Sequence, residues 1–164
     1  MTTTSRVSTG ILSEAQTAKR EEILELLRQA YWMEMETVMS YLANAENLDG
    51  VRAEEIAEAL SEDVDEELGH ARRFAGRIKE LYGTPPGSAE FSSDQPYLQP
   101  DDATDVATVI EGVITAEKGA IEHYLRIIEA CDGVDWATQD MVIEILRDEE
   151  GHLRQFERYL REYR

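Results

Sequence analysis

The sequence predicts an all-α fold: a four-helix bundle of two antiparallel helical hairpins joined by one long crossover. Three observations carry this. All four prolines (Pro85, Pro86, Pro96 and Pro100) fall between Gly83 and Thr104. Two long segments, roughly 13–82 and 102–163, are therefore free of the residue that breaks helices. Each is divided once by an Asp-Gly pair, Asp49-Gly50 and Asp132-Gly133, and such pairs end helices because glycine takes positive φ at little cost. Within the four resulting pieces, apolar residues recur at steps of three and four, the period of a helix with one buried face.

In the first piece the stripe is Leu27, Tyr31, Val38, Tyr41, Ala45 and Leu48. In the second it is Ala57, Leu60, Val64, Ala71, Phe74, Ile78 and Leu81. The third carries Val106, Ile110, Val113, Ala120, Tyr124, Ile127 and Cys131, and the fourth Val142, Leu146, Leu153, Phe156, Leu160 and Tyr163. Alternating steps of this kind are the seam of a left-handed bundle. A helix of about 30 residues is about 45 Å long. The proline-rich linker, about residues 83–103, spans that length when extended, with Phe91, Tyr97 and Leu98 as apolar anchors. The layout is one domain, residues 13–164, behind a polar tail of residues 1–12 that is expected to be flexible.

Composition narrows the function. With 164 residues and 42% apolar content the chain can bury a real core. It carries 35 acidic residues against 16 basic ones, 13 Arg and 3 Lys, for a net charge of -19. Nucleic acid and anionic membrane surfaces should repel it, and the tail offers them only Arg6. Acid excess with few lysines fits a salt-rich cytoplasm and a GC-rich genome alike. The lone Cys131 excludes an internal disulfide and a cysteine-based zinc site. The start has no apolar h-region and no run is long enough to span a bilayer, so a cytoplasmic protein is expected.

Each seam has one gap, and glutamate fills each gap: Glu34, Glu67, Glu117 and Glu149. Glu34 lies 16 residues before Gly50 and Glu67 lies 17 after it; Glu117 and Glu149 lie 16 before and 16 after Gly133. All four should meet at one height, half-way along the bundle. A buried carboxylate without a partner is costly, so it takes a proton or a cation. His70 and His152 stand three residues after Glu67 and Glu149, on the same helical faces. One Glu-x-x-His in a glutamate-rich chain means little. Four glutamates at one level with two such histidines form the ligand set of a dinuclear carboxylate centre. His123, about 240° round the helix from Glu117, reads as a surface histidine. Glu66 and Asp148, each four residues before a ligand histidine, are expected to hold the histidines' outer N–H groups from across the bundle. Tyr41 and Tyr124, seven residues after Glu34 and Glu117, are expected to hydrogen-bond a ligand or pass an electron.

These motifs resemble the bacterioferritins and their shorter ferritin-like relatives. The stretch from Asp140 to His152 is similar to the fourth-helix motif of bacterioferritin, and Glu66-Glu67-Leu68-Gly69-His70-Ala71 to the second-helix motif. Glu34 with Tyr41 matches the first helix, and Glu117 takes the third-helix ligand position. The resemblance covers about residues 30–160. It implies that Glu67 and Glu149 bridge two metals, that Glu34 with His70 binds one, and that Glu117 with His152 binds the other. The cofactor it implies is two iron ions per subunit, with manganese or zinc able to take their place in vitro. The activity it implies is ferroxidase: Fe(II) oxidised by O₂ or H₂O₂ and stored as ferric mineral in a homo-oligomeric cage.

Two departures shape the expectation. Leu68 stands where bacterioferritin has its haem-binding methionine, so haem is not expected; Met33, Met35 and Met39 read as packing at a subunit contact. The chain stops as its fourth helix ends, without the fifth helix of the 24-subunit cages, which resembles the 12-subunit mini-ferritins and favours a 12-mer. Dps-type mini-ferritins build their site between subunits, whereas this set is complete within one chain; the best match is the Dps-like ferritin subgroup with a bacterioferritin-type site, minus its usual cysteine pair. The alternatives are a di-iron or di-manganese oxidase or peroxidase without storage, and a DNA-protecting Dps-type protein. A rubrerythrin-like chain would need a Cys-x-x-Cys unit, which is absent.

Overall fold

The computed structural model describes residues 7–164. Four helices carry it: α1 (Thr17–Asn47), α2 (Glu54–Glu80), α3 (Val106–Cys131) and α4 (Trp136–Leu160). Among the described residues there is no strand. Gly50 and Gly133 sit in the turns of the two hairpins at φ of 102° and 70°, as the Asp-Gly pairs predict. Asp105 and Asp135 cap α3 and α4, each accepting from the backbone N–H three residues on. Residues 1–6 of the expected tail lie outside the described residues. Ile11, also assigned to that tail, is buried against the core, and Arg20 donates to the carbonyls of Ile11 and Ser13.

Side-chain bonds fix the directions of the helices. Tyr41 reaches Glu117 and Tyr124 reaches Glu34, so α1 and α3 are antiparallel. His70 reaches Asp148 and His152 reaches Glu66, so α2 and α4 are antiparallel too. Arg77 at the end of α2 bonds Asp135 and Thr138 at the start of α4, while Glu111 at the start of α3 meets Arg164 at the opposite end. The crossover therefore runs the whole length of the bundle.

The crossover is held more firmly than its apolar anchors suggest. Leu98 is buried, and Phe91 packs edge-on against Trp32. The stronger hold is Glu36, a buried carboxylate on α1 that accepts from the backbone N–H groups of Asp94 and Gln95. Gly112 lets the loop lie on α3, because a Cβ there would collide with the Tyr97 carbonyl. Glu36→Ala orphans two backbone donors and should cost about 1–3 kcal/mol. Urea denaturation measures the loss, and faster exchange of the Asp94 and Gln95 amides locates it; unchanged exchange would mean that other contacts hold the loop.

On α1 the buried face differs from the apolar stripe. Leu27, Tyr41 and Leu48 face the core as expected, but Tyr31, Val38 and Ala45 are only half-buried, and Ala30, Thr37 and Asn44 take their place. Apolar spacing misplaced the face because Thr37 and Asn44 are polar; Asn44 repays its burial by donating to the Leu98 carbonyl. The core forms two apolar clusters. One holds Ile23, Leu27, Phe74, Ile78, Ile127 and Ile145; the other holds Leu48, Ile56, Leu60, Ile110, Val113 and Phe156. Between them lies a layer of charged residues.

Candidate metal centre

Helical register alone brings the six charged residues to that layer. Glu34, Glu67, Glu117 and Glu149, one from each helix, are at most 3% exposed, and His70 and His152 are 4% and 7% exposed. The histidines point their Nδ1 atoms inward. His70 Nδ1 lies 3.1 Å from Glu67 Oε2, 3.0 Å from Glu149 Oε1 and 3.6 Å from Glu34 Oε1. His152 Nδ1 lies 3.2 Å from Glu67 Oε1 and 3.3 Å from Glu149 Oε2. Glu67 and Glu149 thus touch both histidines through different oxygens. The ligand atoms fall into two sets, Glu34–Glu67–His70–Glu149 and Glu67–Glu117–Glu149–His152, each within 4.8 Å. Glu34, Glu67, Glu117 and Glu149 with Thr37, Ala116 and Ala120 enclose a void of about 10 Å³, space for an ion or a water and too small for an organic substrate.

The outer shell is equally regular. His70 Nε2 lies 3.1 Å from Asp148 Oδ2 and His152 Nε2 lies 2.9 Å from Glu66 Oε2. Both contacts cross from one hairpin to the other. Tyr41 donates to Glu117 at 2.5 Å, and Tyr124 donates to Glu34. Each tyrosine therefore serves the glutamate of the opposite hairpin, which spacing along one helix could not reveal. All ten residues singled out by sequence meet in one assembly.

His123 corrects the sequence reading. It is buried, 2% exposed, not on the surface. Its Nε2–H donates to the Leu26 carbonyl at 2.8 Å and its Nδ1 accepts from Arg126. The face of α3 at that angle packs on the N-terminal half of α1, and burial pushes the imidazole below its usual pKa.

Charge in the layer is balanced by protons when no cation is present. Burial, followed by the charges of Glu67 and Glu149, holds the carboxyls of Glu34 and Glu117 well above the usual range. Burial opposes ionisation of Glu67 as well, but the His152 and His70 imidazoles beside it outweigh that and bring it down to about 2. Burial would discharge the imidazoles, yet the surrounding carboxylates hold both far above their usual value, His152 at about 12.

The residues fit a pair of divalent cations. One Nδ1 of His70 faces three carboxylates and can donate to only one, and Glu67 Oε1 and Glu149 Oε1 have no hydrogen-bond partner. A cation between them satisfies all of these atoms at once. With Nε2–H given to Asp148 and Glu66, each Nδ1 can offer a lone pair inward. Mixed carboxylate and imidazole donors suit iron and manganese. Asp148→Ala removes the acceptor that orients His70 and should weaken divalent-cation binding by about 10–100-fold. Calorimetric titration with Zn(II) reads this, and unchanged affinity would deny Asp148 that part.

Comparison with known proteins places this architecture. The family model of the ferritin-like domain matches residues 24–164. The chain belongs to the ferritin-like domain family. A bacterioferritin from Desulfovibrio desulfuricans is 26% identical to this ferritin-like chain over 140 residues, 85% of this chain and 74% of the relative. The X-ray structure of D. desulfuricans bacterioferritin, which describes a diiron site in different catalytic states, superposes with a TM-score of 0.72 at 25% identity, covering 87% of this chain and 80% of that one. The dodecameric thioferritin of Bacteroides fragilis, a bacterioferritin-related protein, superposes with a TM-score of 0.76 at 24% identity, covering 87% and 86%; at that identity the likeness bears on the fold. No described helix is long and apolar enough to cross a membrane.

Proposed function

We propose that this chain is a cytoplasmic ferroxidase of the iron-storage kind, which binds two Fe(II) as substrate in the α1–α4 core and oxidises them with O₂ or H₂O₂. The observation that carries this reading is the pair Glu67 and Glu149, each touching both histidines through separate oxygens. Such carboxylates can hold two cations side by side, Glu34 with His70 completing one position and Glu117 with His152 the other. Each iron gives one electron, and the pair reduces O₂ with two protons to H₂O₂, or H₂O₂ with two protons to two waters. The protein's part is to bind and orient. Asp148 and Glu66 fix the imidazoles, Tyr41 and Tyr124 fix the terminal glutamates, and the two apolar clusters exclude bulk water. Leu68, with no ligating atom, supports a centre without haem.

Storage needs an enclosed volume, and we propose a shell of identical subunits, twelve in preference to twenty-four. The dodecameric B. fragilis relative supports that number. Aerobic Fe(II) titration followed by absorbance tests the chemistry: a break near two Fe(II) per chain is expected, and the absence of catalysed oxidation would refute the ferroxidase. Solution mass tests storage. A monomer or dimer would leave a di-iron or di-manganese oxidase or peroxidase without storage, and retention of DNA at low salt would favour the Dps-type reading.

A further inference from the structure

We propose that Thr37 is a further catalytic residue of the centre, whose hydroxyl donates a hydrogen bond to the O₂ or H₂O₂ that takes electrons from the two Fe(II); this rests on the ferroxidase reading. A break in symmetry points to it. Around the centre the two hairpins repeat each other: Glu34 matches Glu117, Glu67 matches Glu149, His70 matches His152, and Tyr41 matches Tyr124. The repeat breaks at Asp63, which stands where the other hairpin has Ile145, and at Thr37, which stands where it has Ala120. Asp63 lines an open cavity between α2 and α4. Thr37 lines the small void of the centre itself.

That void has room for one small molecule, since its volume of about 10 Å³ is space for about one water. Its walls are the four glutamates with Thr37, Ala116 and Ala120, and neither histidine is among them. It therefore lies on the α1–α3 side of the ligand layer, away from the imidazoles of α2 and α4 that complete the two cation positions. Alanine at 116 and 120 leaves the space, and threonine at 37 supplies its polar group. The Thr37 side chain is buried, 6% exposed. Elsewhere on the helices, Ser61 and Thr115 donate their hydroxyls to the carbonyls four residues back. Thr37 makes no side-chain hydrogen bond among the described residues, and a buried hydroxyl left so is costly.

Donors are scarce around the void. Once cations have displaced the protons of Glu34 and Glu117, all four glutamates can only accept. Tyr41 and Tyr124 spend their hydroxyls on Glu117 and Glu34, and the histidines turn Nε2 outward to Asp148 and Glu66. The Thr37 O–H is the uncommitted donor in the wall. Negative charge develops on the oxidant as the two Fe(II) give up their electrons, and a fixed donor in a site closed to bulk water stabilises that charge. Thr37 keeps its own proton; the two protons of the reduction come from solvent. Ala120 offers no donor on α3, so the oxidant is held from the α1 side alone.

Nitric oxide, a diatomic stand-in for O₂, tests the contact without turnover. In anaerobic protein loaded with Fe(II), the infrared N–O stretch should shift on exchange into D₂O. It should not shift in Thr37→Val, which keeps the side chain's volume and removes its O–H. Aerobic Fe(II) oxidation should fall at least about 10-fold in Thr37→Val, with Zn(II) stoichiometry by calorimetry equal to that of the wild type. Thr37→Ser, which restores the hydroxyl, should recover most of the rate. Thr37→Ala, which copies Ala120, should match Thr37→Val and guards against a folding defect in it. No D₂O shift in the wild type, a shift that survives in Thr37→Val, an unaltered oxidation rate, no recovery in Thr37→Ser, or lost Zn(II) binding in the variants would each overturn the proposal. The ferroxidase reading fails separately: a wild type that catalyses no oxidation refutes it, while the D₂O shift still decides whether Thr37 donates.

Discussion

Replacing Glu67 by alanine should erase the break at two Fe(II) per chain in an aerobic titration and slow iron oxidation by at least about 100-fold. Glu67, like Glu149, belongs to both halves. Its Oε2 lies 3.1 Å from His70 Nδ1 and its Oε1 lies 3.2 Å from His152 Nδ1. Removing it takes a ligand from both cation positions at once. Of the two histidines Glu34 approaches only His70, at 3.6 Å, so Glu34→Ala should spare one position and still bind one cation per chain. The contrast between the two variants, measured with Zn(II) by calorimetry, reports the bridging role more directly than activity does. Glu67→Ala also leaves two imidazoliums with Glu149 as the one carboxylate between them, a loss of about 3–5 kcal/mol for a broken buried pair. Urea denaturation should show it in the cation-free protein. A break at two Fe(II) that survives in Glu67→Ala would refute the shared-ligand geometry.

Cation loading should release up to about four protons per chain near neutral pH, and affinity should rise with pH. Glu34 and Glu117 hold their protons because burial and the charges of Glu67 and Glu149 raise them. His70 and His152 hold theirs despite burial, because the carboxylates around them raise them further. All four must shed a proton to bind a cation. The same groups set the stability of the cation-free protein. For the imidazoles, the folded value lies above the unfolded one, so their contribution is complete below about pH 6.5 and is lost as pH rises toward the folded values. The raised carboxyls act in the same direction from about pH 4.5 upward. Glu67 runs oppositely: its contribution is present above about 4.5 and is lost as the pH falls toward 2. The cation-free protein should therefore melt lower at about pH 9 than at about pH 6. Saturating Zn(II) should reverse that order, because binding strengthens as the ligands deprotonate. An indicator dye in weak buffer counts the protons. A cation-free melting point that rises over this range, or loading without proton release, would contradict the charge balance of the centre.

Much of this was legible in the sequence because it depends on helical period. A residue's height in a helix is set by its distance from the turn at 1.5 Å per residue, and Glu34, Glu67, Glu117 and Glu149 count to one level from Gly50 and Gly133. Burial makes such a residue conspicuous, since a glutamate in an apolar seam breaks the pattern. The same logic failed for Thr37 and Asn44, which are buried yet polar and uncharged, and so shifted the apparent face of α1. It failed for His123 because a position off the seam of one helix is still inside when another helix covers it. Glu36 carried no signal at all: its partners are backbone N–H groups of Asp94 and Gln95, which have no letter in the sequence.

What the sequence determined by itself was the number of helices, their lengths, the turns between them and the level of the charged layer, all consequences of local geometry. What only the tertiary structure decided was pairing across the bundle. Tyr41 serves Glu117 and not the Glu34 of its own helix, and His70 turns its Nε2 to Asp148 on α4. Asp63 keeps one carboxylate oxygen, Oδ2, without a hydrogen bond at the position where Ile145 finds a core. Period fixes where a side chain stands on its own helix; the distance between helices, and so the identity of its neighbour, exists only once the four have packed.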